Sequence, residues 1–465
     1  MVKHTVAIIG GGPGGYAAAI RLQQYGIDTV VFEKERLGGV CLNWGCIPTK
    51  TLVKVAELFS ELHHVEEFGL SLENPTCDYP KIYERKNHVV EKLVSGLEFL
   101  FKKRQIPIIK EAVKTLEKHG DSYLISTENT TVQAYYVVIA TGSSSKELHS
   151  MKIDGENILS SRDILKLQSL PERLVVVGGG VIGCEFASIF SQLGVEVQIV
   201  EFLPQLLSTE DEEISRRLAM ALKKSGIKIY LKTAVENWKI ENNELKLALS
   251  NGKEISTDKV LLSVGRAPVF DIECKNFEIN IEKDAITINN NFETNQHNLF
   301  AIGDVTAKMM LAHTASKQGL LTAEIIKNRI EGTESRIEKL RYENIPRCTF
   351  TNPEIGSVGL TEAQAKEKYK EILVGKFPFS ANGKALGLGN VFGFVKTIAD
   401  KKSNKIIGMH IIGPQATELI AEGGILIGLG MTVDEALKVV FAHPTLSEAV
   451  AESIEDLEKM SIHSM

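Results

Sequence analysis

The chain opens with TVAIIGGGPGG (residues 5–15), a short apolar strand that runs directly into a glycine-rich turn. A helical stretch and a second strand follow, and that strand ends at Glu33, eighteen positions after Gly15. This is the G-x-G-x-x-G pattern of a strand–helix–strand unit, whose glycines let a pyrophosphate approach the backbone. The helix N-terminus then offers N–H groups and a partial positive charge. The pattern predicts a dinucleotide site that includes Gly10, Gly12, Gly15 and Glu33.

The same unit recurs as LVVVGGGVIG (residues 174–183), followed by a helix and a strand that ends at Glu201. One such turn is a weak signal and can be purely structural, but two in the correct context predict two bound dinucleotides. Glu201 would accept hydrogen bonds from a ribose hydroxyl and repel a 2′-phosphate. Because residues 202–208 contain no Lys or Arg, NAD is favoured over NADP. This second site is predicted at Gly178, Gly180, Val181, Gly183 and Glu201.

A pair of cysteines lies just behind the first unit, in CLNWGC (residues 41–46). Zinc would need two further ligands at similar spacing, which the surrounding sequence does not offer, so no metal is predicted. Residues five apart in a regular helix lie about 140° apart around its axis. Gly45 is therefore expected to relax the backbone, so that Cys41 lies ahead of the regular helix. The pair predicts a thiol–disulfide switch, and a flavin would connect it to nicotinamide chemistry.

The remaining four cysteines are isolated in the sequence and predict small buried residues rather than a disulfide framework. They are Cys77, Cys184, Cys274 and Cys348.

Thiol–disulfide exchange needs a proton carrier near neutral pH, and histidine is the natural choice. His443 stands out because it precedes Pro444, a residue suited to the first position of a helix. Glu448 follows five residues after His443 and would favour the charged imidazole. Lys50 and Glu185 are expected at the hydride-transfer site, with Lys50 stabilising negative charge on reduced flavin. The alternative for these last two is solvated charge on a helix surface.

Length and composition bound the remaining possibilities. A chain of 465 residues predicts two to four domains. The net charge of −6 gives no reason to expect nucleic acid or an anionic membrane as a partner. No run of eighteen apolar residues is present, and the strand pattern begins too early for a signal or transit peptide. The chain as given is expected to be cytoplasmic.

The pattern along the chain predicts an α/β protein. A mostly helical insertion is expected near residues 45–104, between the two glycine units. From about residue 341 the character changes to strands at 356–359, 392–398 and 406–412, with helices near 361–369, 416–429 and 433–439. A last helix is predicted over 444–460. This final block lacks a nucleotide motif and predicts a separate α+β domain.

At this point the chain resembles a known family. The segment GGVCLNWGCIPTK (residues 38–50) is similar to the redox-active segment of the flavin-dependent pyridine nucleotide–disulfide oxidoreductases. The resemblance extends over essentially the whole chain and includes ATG (residues 140–142), AIGD (301–304) and HPTLSE (443–448). Within the family, LAH (residues 311–313) and AHPTLSE (442–448) are most similar to the members that oxidise dihydrolipoyl groups.

The resemblance implies two Rossmann-like domains, for FAD and NAD, and a C-terminal α+β dimerisation domain. The implied boundaries are 1–148 for FAD, 149–268 for NAD, 269–340 for a central region and 341–465 for dimerisation. A homodimer is implied, with His443 and Glu448 of one subunit completing the site around the other subunit's cysteines. Cys41 would exchange with substrate and Cys46 would face the flavin. Further implied contacts are Lys50, Thr141, Gly142, Gly303, Asp304 and Ala312 to FAD, and Gly265 to NAD.

The resemblance also implies a lipoyl-bearing component of a 2-oxoacid dehydrogenase or glycine cleavage complex as partner. One departure bears on the substrate, because SKQ (residues 316–318) replaces an acidic run that many lipoamide-linked members carry. Two alternatives therefore remain. One is a reductase of the same family that acts on a low-molecular-weight disulfide such as glutathione disulfide. The other is a binding or assembly subunit without flavin.

Overall fold

The computed structural model describes residues 2–242, 244–333 and 339–463. The chain divides into two compact units. The first comprises residues 1–51, 80–146 and 265–342, and the second comprises residues 52–79, 147–264 and 343–465. Within the described residues, no helix is both long enough and apolar enough to cross a membrane.

The described residues form α-helices from Pro13 to Glu455. They are α1 (Pro13–Gln24), α2 (Gly39–Trp44), α3 (Cys46–Leu62), α4 (Tyr79–Lys103), α5 (Val181–Gln192), α6 (Glu212–Lys224), α7 (Ala312–Glu331), α8 (Glu362–Lys368), α9 (Gly383–Gly387), α10 (Ala416–Gly428), α11 (Val433–Ala436) and α12 (Glu448–Glu455).

The β-strands of the described residues follow in chain order. They are β1 (Val2–Ile9), β2 (Thr29–Phe32), β3 (Ile108–Ile109), β4 (Thr115–His119), β5 (Ser122–Ser126), β6 (Thr131–Ile139), β7 (Ser143–Ser145), β8 (Ile158–Leu159), β9 (Arg173–Val177), β10 (Glu196–Val200), β11 (Lys228–Tyr230), β12 (Val235–Glu241), β13 (Glu244–Leu249), β14 (Glu254–Thr257), β15 (Lys259–Leu262), β16 (Arg266–Pro268), β17 (Glu273–Lys275), β18 (Ile281–Glu282), β19 (Ala285–Ile286), β20 (Leu299–Ala301), β21 (Arg347–Thr349), β22 (Glu354–Gly359), β23 (Ile372–Pro378), β24 (Phe394–Asp400) and β25 (Ile406–Gly413).

The main sheet of the first unit has the order β17-β4-β5-β6-β1-β2-β3, with β20 also paired to β6. Strand β1 pairs in parallel with β2 and β6, and its residues from Val6 to Ile9 are all buried. A strand without polar alternation is typical of a parallel sheet covered on both faces. Helices α1 and α7 pack closely, since a Cβ on Gly319 would lie 2.3 Å from the Gly14 carbonyl oxygen. The sheet therefore delivers its first glycine turn at the end of a rigid central strand.

The second unit repeats this arrangement in the parallel sheet β11-β10-β9-β15-β8. A small antiparallel sheet, β12-β13-β14, is inserted in the chain between β11 and β15 of the parallel sheet. The C-terminal part is a five-stranded antiparallel sheet in the order β21-β22-β25-β24-β23. Its core is formed with α10 and α12, and includes Met409, Ile411, Leu426 and Val450. The predicted α/β fold, with a duplicated nucleotide unit and a C-terminal α+β part, is confirmed.

One of the sequence-based helix predictions is wrong in detail. The last helix does not begin at Pro444 and run to 460. Instead α12 covers only Glu448–Glu455, with Ser447 as its N-cap. The reason is that the Glu448 carboxylate accepts the Thr445 N–H, which closes a turn ahead of the helix. The predicted, mostly helical insertion near 45–104 is confirmed: it contains α3, which ends at Leu62, and α4, which begins at Tyr79.

Candidate active site

In the first glycine turn, two glycines are packed against the backbone and one faces open space. Gly10 has φ +111°, and a Cβ there would lie 2.2 Å from the Ala140 carbonyl oxygen. A Cβ on Gly15 would lie 1.9 Å from the Gly10 carbonyl oxygen. At Gly12, by contrast, the nearest described atom is 3.9 Å from the Cβ position, and no side chain caps α1. The turn thus keeps an open face at a helix N-terminus, which fits the pyrophosphate of a dinucleotide.

The second glycine turn repeats this geometry in the second unit. Gly178 has φ +108°, and a Cβ there would lie 2.5 Å from the Ser263 carbonyl oxygen. A Cβ on Gly183 would lie 2.0 Å from the Gly178 carbonyl oxygen. Around the Cβ position of Gly180, no described atom lies within 4 Å, and no side chain caps α5, which begins at Val181. This turn fits a second dinucleotide on the same grounds.

The two acidic residues at the strand ends hold these turns in place. Glu33 Oε2 accepts the Gly11 N–H at 2.8 Å, and its Oε1 accepts the Glu35 N–H at 2.8 Å. Glu201 likewise accepts the N–H of Gly179, and the Leu203 N–H at 2.6 Å. The sequence predicted only contacts between these carboxylates and a ribose. The structure adds a second role, in which each carboxylate is fixed by the N–H of the residue after the first glycine, Gly11 or Gly179.

The cysteine pair lies at a break between two helices of the first unit. Cys41 belongs to α2, Cys46 is the first residue of α3, and Gly45 separates them with φ −143° and ψ −110°. The predicted relaxation at Gly45 is confirmed, although Cys41 itself lies in a short helix. No disulfide joins the two cysteines, and the Cys41 thiol is hydrogen-bonded to Cys46. That contact, and then burial, raise the pKa of Cys41, while the charge of Lys50 opposes the rise.

Polar side chains that sequence reasoning did not single out also shape the cysteine segment. Asn43 is buried, and its Nδ2 donates to the carbonyl oxygens of Leu37 and Gly39 at 3.0 Å each. Tyr16 lies near both thiols: burial raises its pKa, the thiols add to the effect, and a hydrogen bond with Ser316 opposes it. Asn43 could have been identified from the sequence, since it lies between the two cysteines. Nothing in the sequence around Tyr16 identified it as a neighbour of the thiols.

The segments ATG and AIGD lie close together in the first unit, where Ser143 follows ATG at the start of β7 and Asp304 ends AIGD just after β20. Asp304 accepts a hydrogen bond from Ser143, and Arg266 donates to the Ser143 hydroxyl at 2.7 Å and to its carbonyl at 2.6 Å. Thr141 donates to the Val269 carbonyl oxygen at 2.5 Å. Burial lowers the pKa of Arg266, which Asp304 opposes. The sequence did not identify Arg266, although it follows the predicted Gly265 directly.

The other residues expected to contact the cofactors from the first unit are three glycines and Ala312. Gly142 and Gly265 have φ +76° and +122°, conformations that favour glycine, and Gly303 has φ +73°. Gly303 donates its N–H to Gln318 Oε1 at 2.6 Å. Ala312 is the first residue of α7. Gly265 belongs to the first unit, whereas the other residues expected at NAD belong to the second.

Glu185 lies on α5 in the second unit and is only 4% exposed. Its Oε1 accepts the Phe350 N–H at 3.0 Å, so Glu185 is not a solvated surface charge. Lys50 belongs to the first unit.

The predicted histidine–carboxylate pair is formed within the second unit. His443 Nδ1 lies 2.8 Å from Glu448 Oε1, and the Thr445 N–H donates to Glu448 Oε2 at 2.8 Å. Burial alone would raise the pKa of Glu448, but the bonds from Thr445 and His443 hold it below its usual range. The His443 side chain is 79% exposed. It is therefore an accessible imidazole with a fixed carboxylate behind it, as a proton carrier requires.

Two dinucleotide turns, a contacting cysteine pair and an oriented imidazole define a nucleotide-linked disulfide oxidoreductase. Residues 4–319 match the pyridine nucleotide-disulphide oxidoreductase family, and residues 345–454 match the dimerisation domain of that family. The chain belongs to this family.

The similar proteins are consistent with this membership. A dihydrolipoyl dehydrogenase of Bacillus subtilis is 37% identical, covering 99% of this chain and 100% of that protein. A mitochondrial dihydrolipoyl dehydrogenase of Pisum sativum is 39% identical, covering 97% of this chain and 91% of that protein. Among solved structures, the HOCl-induced flavoprotein disulfide reductase RclA of Escherichia coli has a TM-score of 0.85 and 26% identity. That comparison covers 97% of this chain and 99% of RclA.

Proposed function

We propose that the chain oxidises protein-bound dihydrolipoyl groups to lipoyl groups and reduces NAD⁺, with Cys41 and Cys46 as the redox-active pair. The observation that carries this proposal is the contact between the two thiols near Lys50. It occurs in a chain that aligns along nearly its whole length with dihydrolipoyl dehydrogenases. As a member of its family, the chain uses FAD and NAD.

The cofactor contacts are proposed from the two glycine turns and their surroundings. The open faces at Gly12 and Gly180 support pyrophosphate binding. Bound FAD supplies a two-electron link between the cysteine pair and NAD. The residues proposed to hold FAD are Gly10, Gly12, Gly15, Glu33, Lys50, Thr141, Gly142, Gly303, Asp304 and Ala312. Those proposed to hold NAD are Gly178, Gly180, Val181, Gly183, Glu201 and Gly265. Glu185 is proposed to lie at the hydride-transfer site.

The cysteines carry out the thiol–disulfide exchange. In the oxidised pair, a substrate thiolate attacks the Cys41 sulfur, forms a mixed disulfide and releases Cys46 as a thiolate. The second substrate thiolate then attacks the first substrate sulfur, which closes the lipoyl disulfide and releases Cys41. Two electrons have now moved from the substrate to the cysteine pair.

His443 is proposed to take the proton from the attacking substrate thiol. The Glu448 carboxylate, 2.8 Å from Nδ1, stabilises the imidazolium that forms and leaves Nε2 available to the substrate. Overall, one dihydrolipoyl group and one NAD⁺ yield one lipoyl group, one NADH and one proton.

The partners follow from the chain's domains. The chain carries the family's dimerisation domain, which supports a homodimer. We further propose that His443 acts on the partner subunit's cysteines. The proposed substrate is a lipoyl-bearing component of a 2-oxoacid dehydrogenase or glycine cleavage complex. The cytoplasmic location expected from the sequence remains a prediction.

The deciding experiment compares two nucleotides and two disulfides with the purified holoenzyme. NADH with lipoamide should give the highest kcat/KM. NADPH should be at least about tenfold poorer, because Glu201 would face its 2′-phosphate. Glutathione disulfide represents the second candidate, a low-molecular-weight disulfide. Faster turnover with glutathione disulfide than with lipoamide would reject the proposed substrate.

Serine variants then test the role of the cysteine pair. Cys41→Ser and Cys46→Ser should abolish lipoamide turnover while the flavin absorbance is retained, because neither variant can form the disulfide. Cys77→Ser, which changes an isolated cysteine, is the matched control and should keep full activity. Lipoamide turnover at the normal rate in either pair variant would contradict the mechanism.

A further inference from the structure

The segment that carries the proposed proton carrier is short, and its tip is exposed. Residues 442–447, called the histidine loop below, precede α12, and residues 442–444 are all exposed. Within the loop, the Thr445 hydroxyl donates to the Ala442 carbonyl oxygen at 2.7 Å. Only Leu446, which is 5% exposed, enters the C-terminal core. An exposed imidazole on such a segment needs further contacts if its orientation is to be fixed.

Two polar contacts reach the histidine loop from other elements of the second unit. Asn382 Nδ2 donates to the Thr445 carbonyl oxygen at 3.0 Å. The Ser447 hydroxyl donates to Glu422 Oε1, on α10, at 2.6 Å. Asn382 is the more deeply buried anchor, with 3% of its surface exposed. Its side chain therefore bonds in a place where water competes little for the Thr445 carbonyl.

The Asn382 side chain is fixed at both ends. Its Oδ1 accepts the Ala385 N–H at 2.9 Å and so caps α9, while its Nδ2 holds the loop. Ser, Thr or Asp would cap a helix equally well. However, only Asn combines a capping oxygen with an N–H donor on one short planar amide. The contact with the histidine loop therefore explains why Asn is found at position 382, whereas capping of α9 alone does not.

A continuous series of hydrogen bonds joins Asn382 to His443. Thr445 accepts from Asn382 through its carbonyl and donates through its N–H to Glu448 Oε2. Glu448 Oε1 then bonds to His443 Nδ1. Because both backbone groups of Thr445 are engaged, its position determines where the Glu448 carboxylate is held. That carboxylate in turn sets the orientation of the imidazole.

We propose that Asn382 is a positioning residue for proton transfer, which acts by fixing Thr445 and hence the His443–Glu448 pair. This inference rests on the proposed function of His443. Asn382 does not touch the substrate; it restricts the histidine loop to the arrangement in which the imidazole is oriented by its carboxylate. Freeing the loop would lower the fraction of molecules with a correctly placed base, and the flavin site would be unaffected.

Other charged groups surround the pair and remain unchanged in the test variants. His463 lies 2.5 Å from Glu452, one turn along α12 from Glu448, and its charge acts on Glu448. Glu455 lies near both Glu452 and His463, and Glu422 lies behind Ser447. A shift in the pH profile of Asn382→Ser, which adds no charge, therefore reports on the loop contact.

The test uses Asn382→Ser and Asn382→Asp in the holoenzyme. Both replacements can cap α9, and both lose the N–H donor to Thr445; only Asp adds a charge. Thr361→Ala, which removes the N-cap of α8 in the same unit, is the matched control for a lost cap. Lipoamide turnover is measured from pH 5.5 to 9, together with NADH oxidation by ferricyanide, which needs electrons but no base at the disulfide.

Both variants at residue 382 should lose about 3- to 10-fold in lipoamide kcat, the effect of one hydrogen bond. Their pH midpoint for lipoamide turnover should also move, while ferricyanide activity stays within about twofold of wild type. Thr361→Ala should leave the pH midpoint unchanged. The proposal is overturned if both variants keep the wild-type turnover and midpoint, or if they lose both activities equally. A wild-type enzyme that prefers another disulfide would instead reject the proposed substrate, and the same variants would then be assayed with that disulfide.

Discussion

At the cysteine pair, Gly45 allows the side chains of two residues that are five positions apart in the sequence to contact each other. A Cβ on Gly45 would lie 3.0 Å from the Val40 carbonyl oxygen and 3.3 Å from the Cys41 Cα. A Cβ there would press on the last turn of α2, which would have to shift by a few tenths of an ångström. Close packing therefore favours glycine at this position. The two sulfur atoms can meet because the helix is interrupted between them.

Lys50 provides the prediction at this scale. Contact with Cys46 and burial raise the pKa of Cys41, and the charge of Lys50 opposes that rise. In Lys50→Met the opposing charge is absent, so the thiol pKa should rise further and less thiolate should exist at a given pH. Alkylation of the dithiol enzyme by iodoacetamide at pH 8 should therefore be roughly 3- to 10-fold slower, with its pH profile displaced to alkaline pH.

Lys50→Arg keeps the charge and serves as the control for this experiment. It should retain most of the wild-type alkylation rate, although the shape of the side chain differs. Because the two thiols titrate together, the measured midpoint belongs to the pair. An alkylation profile in Lys50→Met that superimposes on the wild type would show that Lys50 does not act on the thiols.

The two glycine turns show how one structural element is used twice. In each, the first and third glycines of the pattern face backbone oxygens at distances that no Cβ could occupy. In each, the middle glycine of the pattern faces open space at the start of a helix. The first and third positions thus serve folding, and the middle position is free to serve a ligand.

This division predicts opposite outcomes for alanine at neighbouring positions. Gly12→Ala should fold, because its φ of −71° suits alanine and its Cβ has room. It should nevertheless bind FAD more weakly by at least on the order of tenfold, or about 1.4 kcal/mol. Gly10→Ala should fail to fold. Flavin absorbance per protein and the thermal unfolding midpoint of the apoprotein distinguish the two outcomes, and normal flavin content in Gly12→Ala would contradict the assignment.

The sequence predicted these elements because their signals are local. Each turn belongs to one strand–helix–strand unit of about thirty residues. The first glycine of each turn, Gly10 or Gly178, has a φ of +111° or +108°, which other residues rarely adopt. His443 and Glu448 are also close in sequence, so their contact could be anticipated. The predicted helix start at Pro444 failed because a carboxylate–backbone bond closed a turn that propensity alone does not reveal.

Contacts between distant segments could not be predicted from the sequence. Lys396 lies in β24 with its side chain only 3% exposed, and it bonds Asp211 at 3.0 Å and Glu362 at 2.6 Å. Nothing in the pattern around Lys396 distinguishes it from a surface lysine, because its partners are the N-cap residue of α6 and the first residue of α8. Glu185 and the Phe350 N–H are likewise 165 positions apart. Such pairs depend on how the elements pack, which local patterns do not encode.

For the whole molecule, the proposed base and the proposed redox pair belong to different compact units. His443 and Glu448 fall inside residues 345–454, the segment that matches the family's dimerisation domain. The same segment exposes apolar side chains, with Ile425 59%, Leu429 75% and Val440 94% exposed. Apolar exposure of this kind is typical of a surface that another protein covers. The dimerisation segment and its exposed apolar side chains support a homodimer.

A mixture of two inactive variants tests that arrangement directly. Cys41→Ser lacks the interchange thiol, and His443→Gln lacks the base, so neither homodimer should oxidise dihydrolipoamide efficiently. If each site takes its cysteines from one subunit and its histidine from the other, a heterodimer contains one intact site and one doubly defective site. Random reassociation of equal amounts gives about half heterodimers, so activity should recover to about one quarter of wild type. If each subunit used its own histidine, every site in the mixture would lack one group and no activity would return. Ferricyanide reduction by NADH should persist throughout, since it requires neither group, and its loss would indicate that reassociation had damaged the flavin site instead.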